Sequence, residues 1–360
     1  MTPFLPPPPF SPLHSKDYME IQYANVRLPI QPGVAAGACV PFADIPRLGD
    51  VVRDVAVSAD AAAVTLASGK KLAYDYLVLA PGVGYADPLF KGGVTDTAAS
   101  RAAAAAAAAK TLATASSVVI VGGGPVGVEV AGELATDAPG VKVTLVTAAD
   151  RLLAPKPPHL GAAAEAWLTG RGVRVVKGAT VAEAGGREGS RSRRGGGGGD
   201  TLTLRPSGDA LTADVVYWCH AAAPHTAWLA DAGVLDGGGF IKVDAHLAVV
   251  GGPAPGRWFA LGDACDAPGV KLGYLTRQQA GVVARNVRAA AGGGAPTAAA
   301  WAANGGKPEI MLVTLGRGAG TGHVGGWITL PSAAVWLIKA RDLFVGKTRA
   351  WVGAPPAPAA

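Results

Sequence analysis

Gly122, Gly124 and Gly127 follow the apolar run VVIV in G-x-G-x-x-G spacing and precede PVGVEVAGELATD, a stretch of helical character. A β-carbon at the first glycine would obstruct a tight turn, one at the second would hold a pyrophosphate off the backbone, and one at the third would separate helix from strand. The helix N-terminus then offers free N–H groups and partial positive charge to phosphates. The spacing alone is a weak signal, and a glycine-rich connection in a nucleotide-free sheet is its bland counterpart. The strand before it and the helix after it make it a dinucleotide turn, with Gly123 and Pro125 completing the loop.

Two neighbouring groups bear on what the turn holds. Glu129 is expected in the first helical turn, where it either complements the helix dipole, worth about 0.3–1 kcal/mol, or holds a nicotinamide amide or ribose. The acid that binds an adenosine ribose is expected about 20 positions on. Thr147 stands there, with Asp150 and Arg151 beyond it. Arg151 can meet a 2′-phosphate, so NADH and NADPH both stay open.

A second chemical signal is RWFALGDACD, an apolar strand ending in Gly262-Asp263 and leading to a helix, LTRQQAGVVARNVRAAA. Asp263 is either a turn residue or a ligand-binding carboxylate. Cys39, Cys219 and Cys265 form no C-x-x-C pair, which argues against a dithiol centre, a structural zinc site and a disulfide scaffold. Cys219 and His220 are adjacent on a strand and so point to opposite faces, which makes Cys219 a core residue. His159, His225 and His246 show no ligand spacing, and no metal is expected.

The elements that must position these groups alternate along 360 residues, enough for two or three domains. Charged residues make up 16% and apolar ones 49%, which excludes disorder through charge excess. The net charge of +6 is concentrated in residues 187–205 (five basic, two acidic) and 307–349 (six basic, two acidic), leaving −1 elsewhere. No basic stripe interleaved with aromatics supports nucleic-acid binding. Residues 50–83 read as three strands, the last being YLVLA, and AASRAAAAAAAAKTLA as a helix by propensity. The segment GGREGSRSRRGGGGGD reads as a flexible hairpin extension. The start, MTPFLPPPPFSPLH, reads as an extended, mobile proline-rich leader. No apolar run reaches the roughly 18 residues that span a bilayer.

YDYLVLAPGVGYADP resembles the strand and A-T-G turn that precede the nicotinamide domain in two-dinucleotide flavoproteins, with Ala80-Pro81-Gly82 at the turn. RWFALGDACD resembles their closing flavin motif. SKDYMEIQYANVR near the start and KARDLFVGKTR near the end are similar to the apoptosis-inducing-factor-like oxidoreductases, homologues of ferroptosis suppressor protein, the plant and algal members above all. The resemblance runs from about Ser15 to Arg349. It implies an α/β, glutathione-reductase-like fold with doubly wound sheets for two dinucleotides and a small C-terminal α+β domain. Its expected boundaries are a leader at 1–16, the first part of an FAD-binding domain at 17–112 and an NAD(P)-binding domain at 113–230 with the insertion at 185–200. The second FAD part follows at 231–294 and a C-terminal domain at 295–360.

The resemblance also implies an FAD enzyme that oxidises NAD(P)H and reduces quinone-like acceptors. Asp263 and Gly262 would serve the flavin ribityl chain, Lys271 would lie near the isoalloxazine, and Tyr18 and Glu20 would line the flavin side. In the family a separate strand–glycine turn–helix–strand unit for FAD comes first, its acid just before the SKDYMEI position. Here His14 stands at that place, so a chain lacking that first unit, most simply by truncation, is expected to bind FAD poorly. Stoichiometric flavin absorbance in the purified protein would overturn that expectation. The alternative is a catalytically inactive nicotinamide-nucleotide-binding or interaction protein, and the same scan discriminates it. The unpaired cysteines suit a reducing, cytoplasmic setting, and a quinone acceptor implies a protein peripheral on a membrane through WITLPSAAVWLIKARDLFVGKTRAW, with Lys339, Arg341, Lys347 and Arg349 expected to face anionic headgroups. Oligomeric state is not legible.

Overall fold

The computed structural model describes residues 10–46, 48–93, 96–183, 200–295 and 297–358. Most of the proline-rich leader, and the expected insertion up to residue 199, lie outside the described residues. The chain divides into one unit of Met1–Val55, Pro88–Thr114 and Asp342–Ala360, and another of Ala56–Asp87 and Ala115–Arg341.

In the first unit, β1 (Leu13–His14), β2 (Tyr18–Glu20), β3 (Cys39–Pro41) and β4 (Val52–Arg53) are short; β1 pairs in parallel with β4, and β2 antiparallel with β3. Helix α1 (Val34–Ala38) and the alanine-rich α2 (Ala98–Leu112) accompany them. Alanine propensity favours α2 throughout, and a reciprocal cap starts it: Ser100 N donates to Thr97 Oγ1 at 3.0 Å and Thr97 N donates to Ser100 Oγ at 2.9 Å. Arg101, Ala105, Ala108 and Leu112 form its buried face. Burying an arginine requires partners, and Arg101 has three: its Nε reaches Glu20 Oε1 at 2.7 Å, and its outer nitrogens donate to the carbonyls of Pro88 and Leu89. In the C-terminal helix, Val345–Val352, Arg349 is likewise buried and donates to Gly37 O at 3.1 Å and Pro355 O at 2.6 Å. Its expected place facing headgroups is therefore wrong. The sequence shows a basic residue near an apolar run but not the carbonyls that claim it.

Glu20 is the hub of this unit. Its carboxylate accepts from Lys16 Nζ (2.9 Å), Arg101 Nε (2.7 Å), Asn25 Nδ2 (2.9 Å) and Gly92 N (3.3 Å). Burial alone would push its carboxyl up, but Arg101 and Lys16 outweigh burial and hold it below the usual carboxylate range. A depressed folded-state value means that the stabilisation is full above the ordinary glutamate pKa and is lost as pH falls below it, through the folded value. Thermal unfolding from pH 7 to pH 3 is therefore expected to show a steeper loss for wild type than for Glu20→Gln, which starts lower. Parallel curves would remove Glu20 from the acid response. Tyr18, fully buried beside it, has a hydroxyl with no hydrogen-bond partner among the described residues, and burial raises its phenol strongly.

The second unit begins with an antiparallel meander, β5 (Ala56–Ala59), β6 (Ala63–Leu66) and β7 (Lys71–Ala73), followed by β8 (Leu77–Leu79) and β9 (Val83–Tyr85). Residues 50–83 thus hold five short strands, β4 to β8, rather than the three expected. Turns cut the run where Asp60 Oδ1 accepts from the amides of Ala62 and Ala63, and where Gly69 takes a φ of 84°; alternation of side chains does not reveal such cuts.

A parallel sheet follows, built from β10 (Ser117–Val121), β11 (Lys142–Val146), β12 (Arg174–Val176) and, after an antiparallel meander of β13 (Thr180–Glu183), β14 (Asp200–Arg205) and β15 (Ala210–Ala213), β16 (Val215–Trp218). Its order is β12-β11-β10-β16, with α3 (Pro125–Asp137) and α4 (Pro158–Thr169) in the crossovers. This is the doubly wound arrangement in which a ligand meets the carboxyl end of the central strand. Next, β17 (Ala221–Pro224) pairs antiparallel with β9, and β18 (Trp258–Ala260) pairs in parallel with β8. Trp258, Phe259, Leu79 and Ile241 form their core, against which α5 (Gly273–Ala291) buries Leu275, Val282 and Val283. The antiparallel sheet β19 (Ile310–Leu315), β20 (Ala319–Val324) and β21 (Ile328–Leu330) ends the unit, with a helix Ser332–Val335 that continues as a π-helical turn, Trp336–Ala340.

Candidate functional site

The glycine turn links β10 to α3, and each glycine meets a different environment. At Gly122, with φ 125°, a Cβ would lie 2.6 Å from Cys219 O; at Gly123, 2.6 Å from Thr147 Cβ; at Gly127, 1.9 Å from Gly122 O. At Gly124 a Cβ would meet nothing within 4 Å. Three positions thus admit no side chain because protein fills the space, and one faces an opening at the start of a helix with Pro125 in its first turn and no side-chain cap. The opening beside uncapped amides fits a pyrophosphate. The spacing recurs at Gly320, Gly322 and Gly325, yet there it runs along antiparallel β20. At Gly320 a Cβ would collide with Val335 and at Gly322 with Met311 O, so that repeat serves packing.

Past β11, Thr147 does not face outward as expected of a ribose-binding position. It is buried against Gly123, and the next residue, Ala148, is the first exposed one. No carboxylate takes either place. Arg151 is held loosely, by Asp150 Oδ1 at 3.3 Å and Lys156 O at 3.4 Å, and its Nε is buried without a partner.

Ala80-Pro81-Gly82 and Gly262-Asp263 stand at the carboxyl ends of the paired parallel strands β8 and β18, where Leu261 N donates to Leu79 O at 3.1 Å. Gly82 takes a φ of 71° and its carbonyl accepts from His225 N at 2.9 Å. Gly262, φ 81°, donates its N–H to buried Gln279 Oε1 at 2.8 Å. The half-buried Asp263 carboxylate receives no hydrogen bond from the described residues, which suits an acid that binds ligand hydroxyls. Lys271 donates to the carbonyls of Cys265 and, at 3.4 Å, Ala267, with its ammonium 6.0 Å from the Phe240 ring centre. Its charge therefore ties down the loop that follows Asp263.

Glu129 lies in the second turn of α3, and no acidic residue occupies the first. Its expected role as a dipole-complementing residue is corrected accordingly. It is 3% exposed, and its Oε1 accepts from Thr314 N at 2.8 Å and from Lys339 Nζ at 2.5 Å. Lys339, expected to face headgroups, is instead buried in the π-helical turn and also donates to Leu312 O at 3.0 Å. A wider helical turn of this kind often marks a functional position. Tyr85, which sequence reasoning passed over, is a half-buried residue at the end of β9: burial pushes its phenol up to about 12, with nearby acids such as Asp263 and Glu129 adding to the rise. Cys219 is a buried core residue, its thiol raised by burial, and His220 beside it is exposed. Tyr18 and Glu20 belong to the other unit, where Glu20 is engaged as described above.

With these positions fixed, the pyridine nucleotide-disulphide oxidoreductase profile matches residues 48–289, a span holding both motifs. The chain belongs to that family. It is similar to ferroptosis suppressor protein 1 of Taeniopygia guttata, 25% identical over 351 residues, covering 94% of this chain and 88% of the relative. Within the family it is therefore of the apoptosis-inducing-factor-like, FAD-dependent kind. The fold matches the sulfide:quinone oxidoreductase of Aquifex aeolicus (TM-score 0.67, 17% identity, 96% of this chain and 86% of that one). It also matches an FAD-dependent pyridine nucleotide-disulphide oxidoreductase from Desulfovibrio vulgaris (TM-score 0.55, 21% identity, 88% and 77%). The architecture is the two-dinucleotide-binding flavoprotein fold.

Proposed function

We propose that the protein is an NAD(P)H oxidoreductase that delivers electrons to a quinone-like acceptor at a membrane surface. The observation that carries this is the connection in one unit of the Gly124 opening, the Glu129–Lys339 pair, Tyr85 and the unbonded carboxylate of Asp263. Gly122 to Gly127 would hold the nicotinamide dinucleotide, and Asp263 with Gly82 and Gly262 the flavin. FAD, when bound, supplies two-electron acceptance and onward transfer. The chain's own part is orientation: Glu129 and Lys339 fix α3, whose N-terminus meets the phosphates, and Tyr85 stays protonated at neutral pH. With no acid at Thr147 or Ala148, NADH and NADPH are both accepted. Aerobic oxidation of each by the purified protein, with and without a short-chain quinone, is the test. Because the chain is expected to hold little flavin on its own, quinone-stimulated turnover is expected on addition of FAD. A protein that binds NADH but does not oxidise it even with FAD supplied would establish the inactive nucleotide-binding reading instead.

The membrane reading rests on a changed set of residues. Among the described residues no helix is long and apolar enough to cross a membrane. Trp327 (79% exposed), Ile328, Trp336, Leu337 (60%) and Ile338 stand exposed between β20 and Arg341, an unusual concentration of large apolar side chains for a water-facing surface. Of the four cations expected to face headgroups, Lys339 and Arg349 are buried and Arg341 and Lys347 remain exposed, so apolar insertion is expected to carry more of the binding than headgroup attraction. Co-sedimentation with vesicles is expected to survive high salt and to fall several-fold in Leu337→Glu and Trp336→Glu. Failure of wild type to pellet with anionic vesicles at low ionic strength would favour a soluble acceptor.

A further inference from the structure

We infer a second binding site, for a small molecule or headgroup bearing two or more phosphates, in the groove between α5 and the loop at 300–307. The groove has a volume of about 680 Å³, the size of ordinary small-molecule sites. Its helical wall carries Tyr274, Arg277, Gln278 and Arg285 on one face, and Trp301 and Lys307 stand on the loop side. Three cationic side chains line it, and no acidic one does among the described residues. Several other cations of the same unit are met by carboxylates: Lys156 by Glu309 at 2.6 Å, Lys177 by Glu165 at 2.8 Å, Arg317 by Asp137 at 2.9 Å and Lys339 by Glu129 at 2.5 Å. Neither the Arg285 guanidinium nor the Lys307 ammonium has such a partner, and no hydrogen bond reaches the half-buried Gln278 amide among the described residues.

Both walls are held in place by bonds that do not involve these groups. On the loop, Trp301 Nε1 donates to Pro268 O at 3.0 Å, Trp301 N to Ala245 O at 2.6 Å, and Val270 N to Asn304 Oδ1 at 3.2 Å. On the helix, buried Asn286 exchanges hydrogen bonds with Ala299, its Nδ2 donating at 2.8 Å and its Oδ1 accepting at 2.6 Å. The cations are thus presented on a prebuilt frame, which reduces the ordering cost of binding. Arg277 and Arg285 are two helical repeats apart, about 12 Å along the axis at 1.5 Å per residue, with Lys307 facing them. One phosphate cannot engage both ends, whereas a polyphosphate or a phosphorylated headgroup can. Arginine's forked donors suit phosphate oxygens.

Sodium tripolyphosphate titrated calorimetrically into the full chain is the first probe, and phosphatidylcholine vesicles carrying cardiolipin, whose headgroup bears two phosphates, are the second, read against the same vesicles without it. Binding of either is expected to weaken at least tenfold in Arg285→Glu/Lys307→Glu. It is expected to persist in Gly124→Val, which blocks the dinucleotide turn, and in Lys70→Glu/Lys71→Glu, which alters the same total charge outside the groove. Response to tripolyphosphate identifies a soluble ligand, and response to vesicles alone a lipid headgroup. Equal affinity in wild type and the groove variant, loss in either control, or binding of neither probe by the folded wild type overturns the site. Because the groove lies apart from the glycine turn, NADH binding is expected to be unchanged in the groove variant whichever way the test falls.

Discussion

In a Gly124→Val variant, affinity for both NADH and NADPH falls by about 100-fold or more, equivalent to about 2.7 kcal/mol, while the thermal midpoint stays within about 2 °C of wild type. Valine is compatible with the backbone at this position, which has φ −77° and ψ −176°, the extended conformation that β-branched residues favour. A Cβ there touches no protein atom within 4 Å, so the folded chain barely registers the change. The added carbons instead occupy the one approach from which a pyrophosphate reaches the amides of α3. Gly127→Ala is the contrasting case. Its Cβ falls 1.9 Å from Gly122 O, a collision with backbone, and displacement of helix from strand is expected to cost about 3 kcal/mol or more of stability. Calorimetric titration with both nucleotides and thermal unfolding of the two variants separate ligand space from packing space. Wild-type affinity in Gly124→Val would place the nucleotide elsewhere.

The contrast also shows what the sequence could reveal. The turn was legible because its chemistry is local: strand, glycines and helix are contiguous, and the steric role of each glycine follows from covalent geometry. The same spacing at Gly320, Gly322 and Gly325 lacks the strand-to-helix context and serves packing on a hairpin. Asp263 and Gly82 could be paired only through family resemblance, because their juxtaposition depends on β8 and β18 being neighbours, which alternation of side chains does not determine. Charged residues were read least well. Lys339 and Arg349, expected at the surface, are each buried because a carboxylate or carbonyl distant in sequence awaits them. Thr147, reached by counting from the glycine turn, lies just past β11 with its side chain turned inward against Gly123, and counting along the chain does not show which way a side chain points.

The Glu129–Lys339 pair tests whether buried charge here serves stability or function. Removing one partner leaves an uncompensated buried charge, so Glu129→Gln and Lys339→Met are each expected to lose about 3–5 kcal/mol of stability. Replacing both by apolar residues, Glu129→Leu with Lys339→Met, is expected to recover most of that loss, because two desolvation costs vanish together. A purely structural pair would regain NAD(P)H oxidation in the double variant along with the fold. The geometry argues otherwise. Glu129 is one turn beyond the glycine loop, its Oε1 also accepts from Thr314 N, and its charge, like that of Asp263, bears on the half-buried Tyr85. The pair therefore fixes the helix that meets the dinucleotide and sets the field between the two motifs, and neither role passes to leucine and methionine. Turnover of the refolded double variant is expected to remain at least about 100-fold below wild type, close to 2.7 kcal/mol of barrier, with NADH affinity reduced much less. Thermal unfolding, nucleotide titration and quinone-stimulated NADH oxidation on all four proteins give the answer. Recovery of wild-type turnover in the double variant would reduce the pair to a fold-stabilising contact, and full stability in either single variant would mean that the pair is not buried as described.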